Sequence, residues 1–218
     1  MLKGVFRVEI PVIKRVLERN EMVAEEVRRI LDDSSTVMLN FIGGPGAGKT
    51  TLLEATIRML PDYKVAVIEG DITTTTDSER IKKLNVPVVQ IETEGSCHLE
   101  SLWVKRALEK IDLRDVDFVF VENVGNLVCP TEFDLGEHAK IGVLSVTEGD
   151  DKPRKYPLLF RLAKAVLLTK VDMLPYFNFN EDRFLSDIRK IKDIPVFKVN
   201  SLTGDGIANW VEWLRSFR

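Results

Sequence analysis

The chain reads as an α/β protein, a mostly parallel sheet flanked by helices. Short β-rich runs alternate with helical stretches along most of its 218 residues, which is the pattern of strands joined by helical crossovers. A glycine-rich turn, residues 43–50, links the first such run to a helical pattern. No repeat, low-complexity tract or Ser/Gly linker interrupts the alternation, and the length stays below the ~250 residues at which single cores stop growing.

The elements follow in order. Ile13, Val16, Leu17, Val23, Val27, Ile30 and Leu31 recur at helical spacing, so residues 1–33 are expected to hold an amphipathic helix packed on a domain formed by 34–218. The apolar run 37–42 predicts the first strand, and 51–59 the helix after the glycine-rich turn. Further strands are expected at 64–69, 86–91, 116–121, 141–146, 165–168 and 195–199, with a helical pattern leading to about 111 and a last helix over 207–214. Trp210 and Trp213 on that last helix read as packing residues. In such a sheet, functional groups gather at the carboxyl ends of the strands.

Gly43, Gly44, Pro45, Gly46, Ala47, Gly48, Lys49 and Thr50 match the spacing of a P-loop, between a strand and a helix as that loop requires, so the expected fold is that of the P-loop NTPases. Glycines let successive N–H groups turn inward around a β-phosphate, the helix start at Thr51 adds its positive end, and Lys49 brings an ammonium to the β/γ oxygens. Thr50 offers a hydroxyl to Mg²⁺. At the end of the 165–168 strand, Thr169-Lys170-Val171-Asp172 fits a guanine-reading motif. Asp172 can accept from guanine N1–H and the exocyclic amine, which adenine cannot satisfy, while the stem of Lys170 lies along the base. The same Asp172 also reads as a helix cap. Ser201, after the next strand, stands where a backbone N–H meets the guanine O6. The nucleotide is therefore expected to be GTP.

Magnesium and the attacking water need carboxylates beside the phosphates. Glu122, closing a strand, is the first candidate and Asp71 the second, with Lys49, Asp71 and Glu122 the expected catalytic set. Asn126 stands where a water-orienting Gln often sits, so intrinsic turnover is expected to be slow. Thr73 to Thr76 read either as a switch segment or, with Glu79, as a capping box. Lys152, Arg154 and Lys155 read more readily as a solvated charge run than as a finger supplied across a dimer.

The chain has two cysteines and two histidines. Cys97-His98 precedes a helical pattern and Cys129 lies just past the Glu122 strand. Placement at a helix start would lower the Cys97 pKa and favour a thiolate. Cys97, His98 and Cys129 together offer three ligands to Ni²⁺ or Zn²⁺, one short of a closed tetrahedral site. On spacing alone they read equally as two buried cysteines and a surface histidine, with His138 a weak further candidate.

Taken jointly, the 43–50 loop, Glu69-Gly70-Asp71, Cys97-His98-Leu99-Glu100, the run 122–130, Phe133-Asp134-Leu135-Gly136, Thr147-Glu148-Gly149-Asp150 and Thr169-Lys170-Val171-Asp172 resemble the hydrogenase nickel-incorporation GTPases, the HypB family. The resemblance spans nearly the whole chain. It implies a GTP-dependent homodimer, a metal site on Cys97, His98 and Cys129 at the subunit interface, and nickel delivery during [NiFe]-hydrogenase maturation. It also implies as partners the small metallochaperone HypA and the hydrogenase large subunit precursor. The Cys-rich and His-rich N-terminal stretches of some relatives do not occur here, and Leu102 and Arg106 stand where some relatives carry further histidines. Urease accessory GTPases share Glu148-Gly149-Asp150 but carry Cys-Pro-His at the metal motif. A urease-type accessory GTPase, a P-loop small-molecule kinase and a metal-binding adaptor remain the competing readings.

The remaining expectations are negative. Lys plus Arg number 31 against 34 Asp plus Glu, a net charge of -3, so electrostatics make no case for nucleic acid or a membrane surface. No apolar run reaches the ~18 to 20 residues of a span, and Met1-Leu2-Lys3-Gly4 lacks the apolar core of a secretory signal, so a cytoplasmic location is expected.

Overall fold

The computed structural model describes residues 12–71 and 80–218. Seven parallel strands form one sheet: β1 (Val37–Gly43), β2 (Val65–Asp71), β3 (Val88–Glu92), β4 (Phe118–Glu122), β5 (Ala139–Ser145), β6 (Ala165–Thr169) and β7 (Val196–Lys198). Their spatial order is β3-β2-β4-β1-β5-β6-β7. The helices that cover it include α1 (Val12–Asp33), α2 (Lys49–Arg58), α3 (Ser101–Leu108), α4 (Cys129–Glu132), α5 (Lys152–Lys155), α6 (Pro157–Leu162), α7 (Glu181–Ile191) and α8 (Ile207–Arg215). Among the described residues no helix is long and apolar enough to cross a membrane.

Central strands of a parallel sheet are covered on both faces, so their sequences run apolar without alternation. Every residue of β1, β4 and β6 is buried. On one face Leu39, Phe41, Phe118 and Phe120 pack with α2 and α8 around Trp210, which is wholly buried. Phe41 meets Trp210 edge-on at 6.1 Å, and the indole Nε1 donates to Thr56 Oγ1 at 3.1 Å, so the ring's polar end is satisfied in the core. Trp210→Ala should lower unfolding free energy in urea by about 3–5 kcal/mol, the usual loss for a large buried aromatic; a loss under about 1 kcal/mol would show that this face does not depend on it.

On the other face Met38, Ala66, Val119 and Val121 pack under α1 and α3. The stripe that α1 buries is Asn20, Ala24, Val27 and Leu31, whereas Val16 is 43 % exposed, a correction to the apolar face read from the sequence. The cause is a polar residue taking a core position. Asn20 Nδ2 donates to Asp134 O at 2.6 Å, and its Oδ1 accepts from the Ser101 N–H at 2.8 Å, where α3 begins. Residues 1–11, with the segment 72–79 that holds Thr73 to Thr76 and Glu79, lie outside the described residues.

The register of the parallel pairs places the functional ends together. Phe41 lies opposite Glu122, Glu69 opposite Glu122, and Gly43 opposite Val143. The 43–50 turn therefore leaves the sheet at the carboxyl edge, between the loops that follow β4 and β5.

Candidate nucleotide and metal site

The P-loop residues wrap a cavity of about 500 Å³ whose walls include Gly48, Lys49, Thr50, Glu69, Arg80 and Glu122. Gly46 and Gly48 adopt φ of 73° and 88°, left-handed values open to glycine, and they turn the loop so that α2 starts at Lys49. Lys49 Nζ donates to Gly43 O at 3.2 Å and to Gly44 O at 3.4 Å, so its ammonium folds over the loop. Thr50 Oγ1 donates to Glu122 Oε1 at 2.9 Å, both groups buried. A hydroxyl, Glu122 and the neighbouring buried carboxylate of Glu69 at one wall form the oxygen-only donor set that suits a hard divalent cation. Asp71, expected at this wall, ends β2, and its side chain lies outside the described atoms.

A second cavity of about 230 Å³ adjoins the first and shares Gly48, Thr51 and Lys170 with it; Asp172, Asn200 and Ser201 also line it. The turn after β6 is tied to the P-loop. Thr169 Oγ1 donates to Ala47 O at 2.6 Å, and Lys170 Nζ donates to Gly46 O at 2.8 Å, so the lysine stem spans the loop. Lys170 holds φ of 56°, a left-handed backbone kept here by packing and by these bonds. Asp172 is exposed in the first turn of the following 3₁₀ segment, Val171–Tyr176, and Ser201 Oγ is buried with no hydrogen-bond partner among the described residues.

Cys97, His98 and Cys129 are brought together, their ligand atoms all within 4.8 Å of one another. A tetrahedral ion bound at ~2.0–2.3 Å sets its ligands roughly 3.3–3.8 Å apart, so little closure is needed. Cys97 Sγ lies 3.6 Å from His98 Nδ1, and the imidazole stacks on Phe133 with centroids 3.8 Å apart. Burial lowers the His98 pKa, against the opposing pull of Glu100 and Glu132, which favours the neutral imidazole that ligates. The Cys129 thiol is pushed up by its bond with Cys97 and by burial, so an incoming ion must displace a proton there. Cys97 does not stand at a helix start as expected: α3 begins at Ser101 with Glu100 as its N-cap, leaving Cys97 in the preceding bend outside the first turn, whereas Cys129 opens α4.

The two sites touch through the loop after β4. A Cβ on Gly125 would lie 3.1 Å from Pro45 Cγ and 3.2 Å from Pro45 Cα, so this loop rests directly on the P-loop. The next residue, Asn126, donates from Nδ2 to Cys97 O at 3.4 Å and accepts from Val128 N–H at 2.9 Å. Its amide faces the cysteines. His138 belongs to the scaffold: Met38 N–H donates to its Nδ1 at 3.0 Å and Asp32 lies 3.5 Å from its Nε2. Arg154 pairs with the buried Asp187 at 3.1 Å, Lys155 pairs with Asp151 at 2.5 Å, and the mostly buried Lys152 donates to Glu148 O, so all three are held by groups of their own chain. Sequence reading missed Glu69, Arg80 and the Asn40 and Asn123 amides. Arg80 donates to Thr51 Oγ1 at 3.1 Å and Glu54 Oε2 at 2.8 Å. Glu69 and Asn123 stand inside the runs matched above without a role read for either, and Asn40 is marked as a polar residue inside an otherwise apolar strand.

A parallel sheet with this loop at its carboxyl edge and a second cavity beside it defines a P-loop nucleotide-binding domain, and the family described as "CobW/HypB/UreG, nucleotide-binding domain" matches residues 37–197. Hydrogenase maturation factor HypB of Escherichia coli (strain K12) is 42% identical over 205 residues, covering 93% of this chain and 71% of that one. Hydrogenase/urease maturation factor HypB of Helicobacter hepaticus is 36% identical over 214 residues, covering 96% of this chain and 88% of that one. The crystal structure of HypB from Helicobacter pylori in complex with nickel aligns with a TM-score of 0.87 at 37% identity, covering 91% of this chain and 94% of that chain. The chain belongs to the HypB family of hydrogenase maturation factors, a branch of the P-loop GTPases.

Proposed function

We propose that this chain is a GTP-hydrolysing metallochaperone that delivers nickel during [NiFe]-hydrogenase maturation, with a dimer and a shared metal site that respond to the bound nucleotide. The observation that carries the reading is the Cys97, His98 and Cys129 cluster lying against the loop that rests on Pro45. GTP fills the two joined cavities, its phosphates in the 43–50 loop under Lys49, its base between Lys170 and Asp172 with the loop at Ser201 completing the pocket. Thr50 and Glu122 are the groups that would hold Mg²⁺, with Asp71 as the further carboxylate, and the ion supplies charge neutralisation at the phosphates. Asn126, with its amide turned to the cysteines, supports slow intrinsic turnover.

Three protein ligands leave a metal site that water or a second copy must complete, and such a site suits cargo that is held and passed on. Nickel fits the relatives' role, and the crystal structure of the Helicobacter pylori protein is a nickel complex; Zn²⁺ suits the same thiolates. Val128, 49 % exposed beside Cys129, and Leu162, exposed on α6 in a groove shared with Thr131 and Glu132, present apolar surface near this edge, which supports dimerisation there. HypA and the hydrogenase large subunit precursor are the partners that follow from this role, in the cytoplasm. The Helicobacter hepaticus relative's description also includes urease, so a nickel supply to urease is the second reading.

The test measures nickel and zinc affinity together with oligomeric state, with GDP and with a non-hydrolysable GTP analogue, for wild type and Lys49→Ala. A nucleotide switch should change metal affinity by about tenfold or more, within the usual range of allosteric coupling, and Lys49→Ala should abolish the difference. Equal affinity and equal dimer fraction in both nucleotide states would leave only a metal-binding adaptor.

A further inference from the structure

Two paths join the metal loop to the nucleotide elements. The Asn126 to Cys97 contact is solvent-exposed and 3.4 Å long, so its contribution is small. The other path is buried. Asn123 follows Glu122 directly; its backbone N–H donates to Phe41 O at 3.1 Å, and its Oδ1 accepts from the Leu99 N–H at 3.2 Å and from Val124 N–H at 2.9 Å. Leu99 is the residue after His98. Asn123 Nδ2 donates to Asn40 Oδ1 at 3.1 Å, and Asn40 Nδ2 donates to Glu137 Oε1 at 3.2 Å. Glu137 Oε2 accepts from the Leu135 N–H at 2.6 Å, and Lys140, 2.5 Å from Glu137 Oε1, donates to Phe133 O at 2.7 Å. Phe133 is the ring stacked on His98. Both ends of the chain of bonds therefore grip segments that hold the same imidazole.

The direction of these bonds is over-determined. Glu137 Oε1 lies 2.5 Å from the Lys140 ammonium, which can only donate, so that oxygen is an acceptor and Asn40 must turn Nδ2 toward it and Oδ1 toward Asn123. Asn123 must then present Nδ2 to Asn40, which leaves its Oδ1 for the two backbone donors at Leu99 and Val124 that require an acceptor. Asn40 and Asn123 are 0% and 1% exposed and Glu137 is 9% exposed, so a mis-oriented amide would leave donors facing donors away from water, a cost of about 1–3 kcal/mol for each unsatisfied group. The carboxylate at one end thus dictates the acceptor at the other.

We propose that Asn40, Asn123 and Glu137 are positioning residues, a polarised relay that fixes His98 to the strand end carrying Glu122 and so makes the metal site follow the nucleotide. This rests on the nucleotide-responsive metal site proposed above and names the residues that carry the response. The relay acts through Leu99 and Phe133; none of its three members is placed on the metal.

Glu137→Gln tests it with almost no change of volume: the introduced amide must turn a donor either to Leu135 N–H or to Asn40 Nδ2 and the Lys140 ammonium, and Asn40 can rescue its own contact only by reversing Asn123. Metal affinity is measured with GDP and with a GTP analogue, using Co²⁺ as the probe for its thiolate charge-transfer absorption. The tenfold or greater dependence expected of wild type should fall below about twofold, while Co²⁺ still binds in one state and GTP affinity is retained. Asn40→Ala, which cuts the relay at its centre, should do the same. A folded variant that keeps the wild-type dependence overturns the relay. In unmutated protein, the ¹⁵N resonances of Leu99 and Leu135 should both shift between the two nucleotide states; unchanged positions also overturn it, whatever the variants do. Wild type with equal Co²⁺ affinity in both states overturns the switch itself, which separates that failure from the failure of the relay.

Discussion

Asp172→Asn should weaken GTP binding by about two to four orders of magnitude and allow xanthosine triphosphate to bind in its place. The carboxylate can accept from guanine N1–H and from the 2-amino group at once, and each such hydrogen bond to a charged group is worth about 1.5–3 kcal/mol. Two of them amount to about 3–6 kcal/mol, at 1.4 kcal/mol per factor of ten. Xanthine carries an oxygen where guanine carries the amine, so it rejects a carboxylate and accepts from the amide that asparagine supplies. The structure supports the placement: Asp172 lines the cavity beside Lys170, and the Lys170 and Thr169 bonds to Gly46 and Ala47 hold that cavity to the phosphate loop. Competition binding with GTP, ATP and xanthosine triphosphate checks it. If the variant holds GTP within about threefold of wild type, Asp172 only stabilises the start of the 3₁₀ segment, where an acidic residue in the first turn contributes about 0.3–1 kcal/mol.

Cys129→Ala should reduce Zn²⁺ and Ni²⁺ affinity by about two to three orders of magnitude while GTP affinity, read with both proteins free of Zn²⁺ and Ni²⁺, stays the same. Four ligands of a structural zinc site share about 10–16 kcal/mol, so one thiolate carries roughly 2.5–4 kcal/mol. Cys97 and His98 cannot compensate, because each already offers its one ligand atom and His98 is held against Phe133. GTP binding is spared because Cys129 lines neither nucleotide cavity. Titration against a competing chelator reads the metal, and fluorescent-nucleotide binding reads the other site. Retained metal affinity in this variant would remove Cys129 from the ligand set.

The strands were legible because buried parallel strands must be apolar on both faces, and all seven observed strands overlap the runs predicted for them. The P-loop was legible because its chemistry is carried by backbone conformation, which glycine spacing records directly. The face of α1 was not, since Asn20 enters the core only because Ser101 N–H and Asp134 O, far along the chain, are there to receive it. The roles of Glu69 and Arg80 were not legible for a similar reason: Glu69, though part of the Glu69-Gly70-Asp71 run, meets Glu122 only through strand register, and Arg80 reaches the cavity through a side-chain pair with Thr51 and Glu54.

By itself, the order of residues determined which segments become strands and where the phosphate loop lies, because each is recorded in a pattern within a few positions of the chain. Whether Cys97, His98 and Cys129 were ligands or ordinary side chains was left even by spacing, and tertiary structure alone set their donor atoms within 4.8 Å of one another. Tertiary structure also decided that Asn40, inside β1, faces Asn123 and Glu137 from two other segments. The physical reason is common to both cases. A buried polar group is stable only where a partner meets it, and the partners here lie on strands and loops that the sheet, not the sequence, makes neighbours.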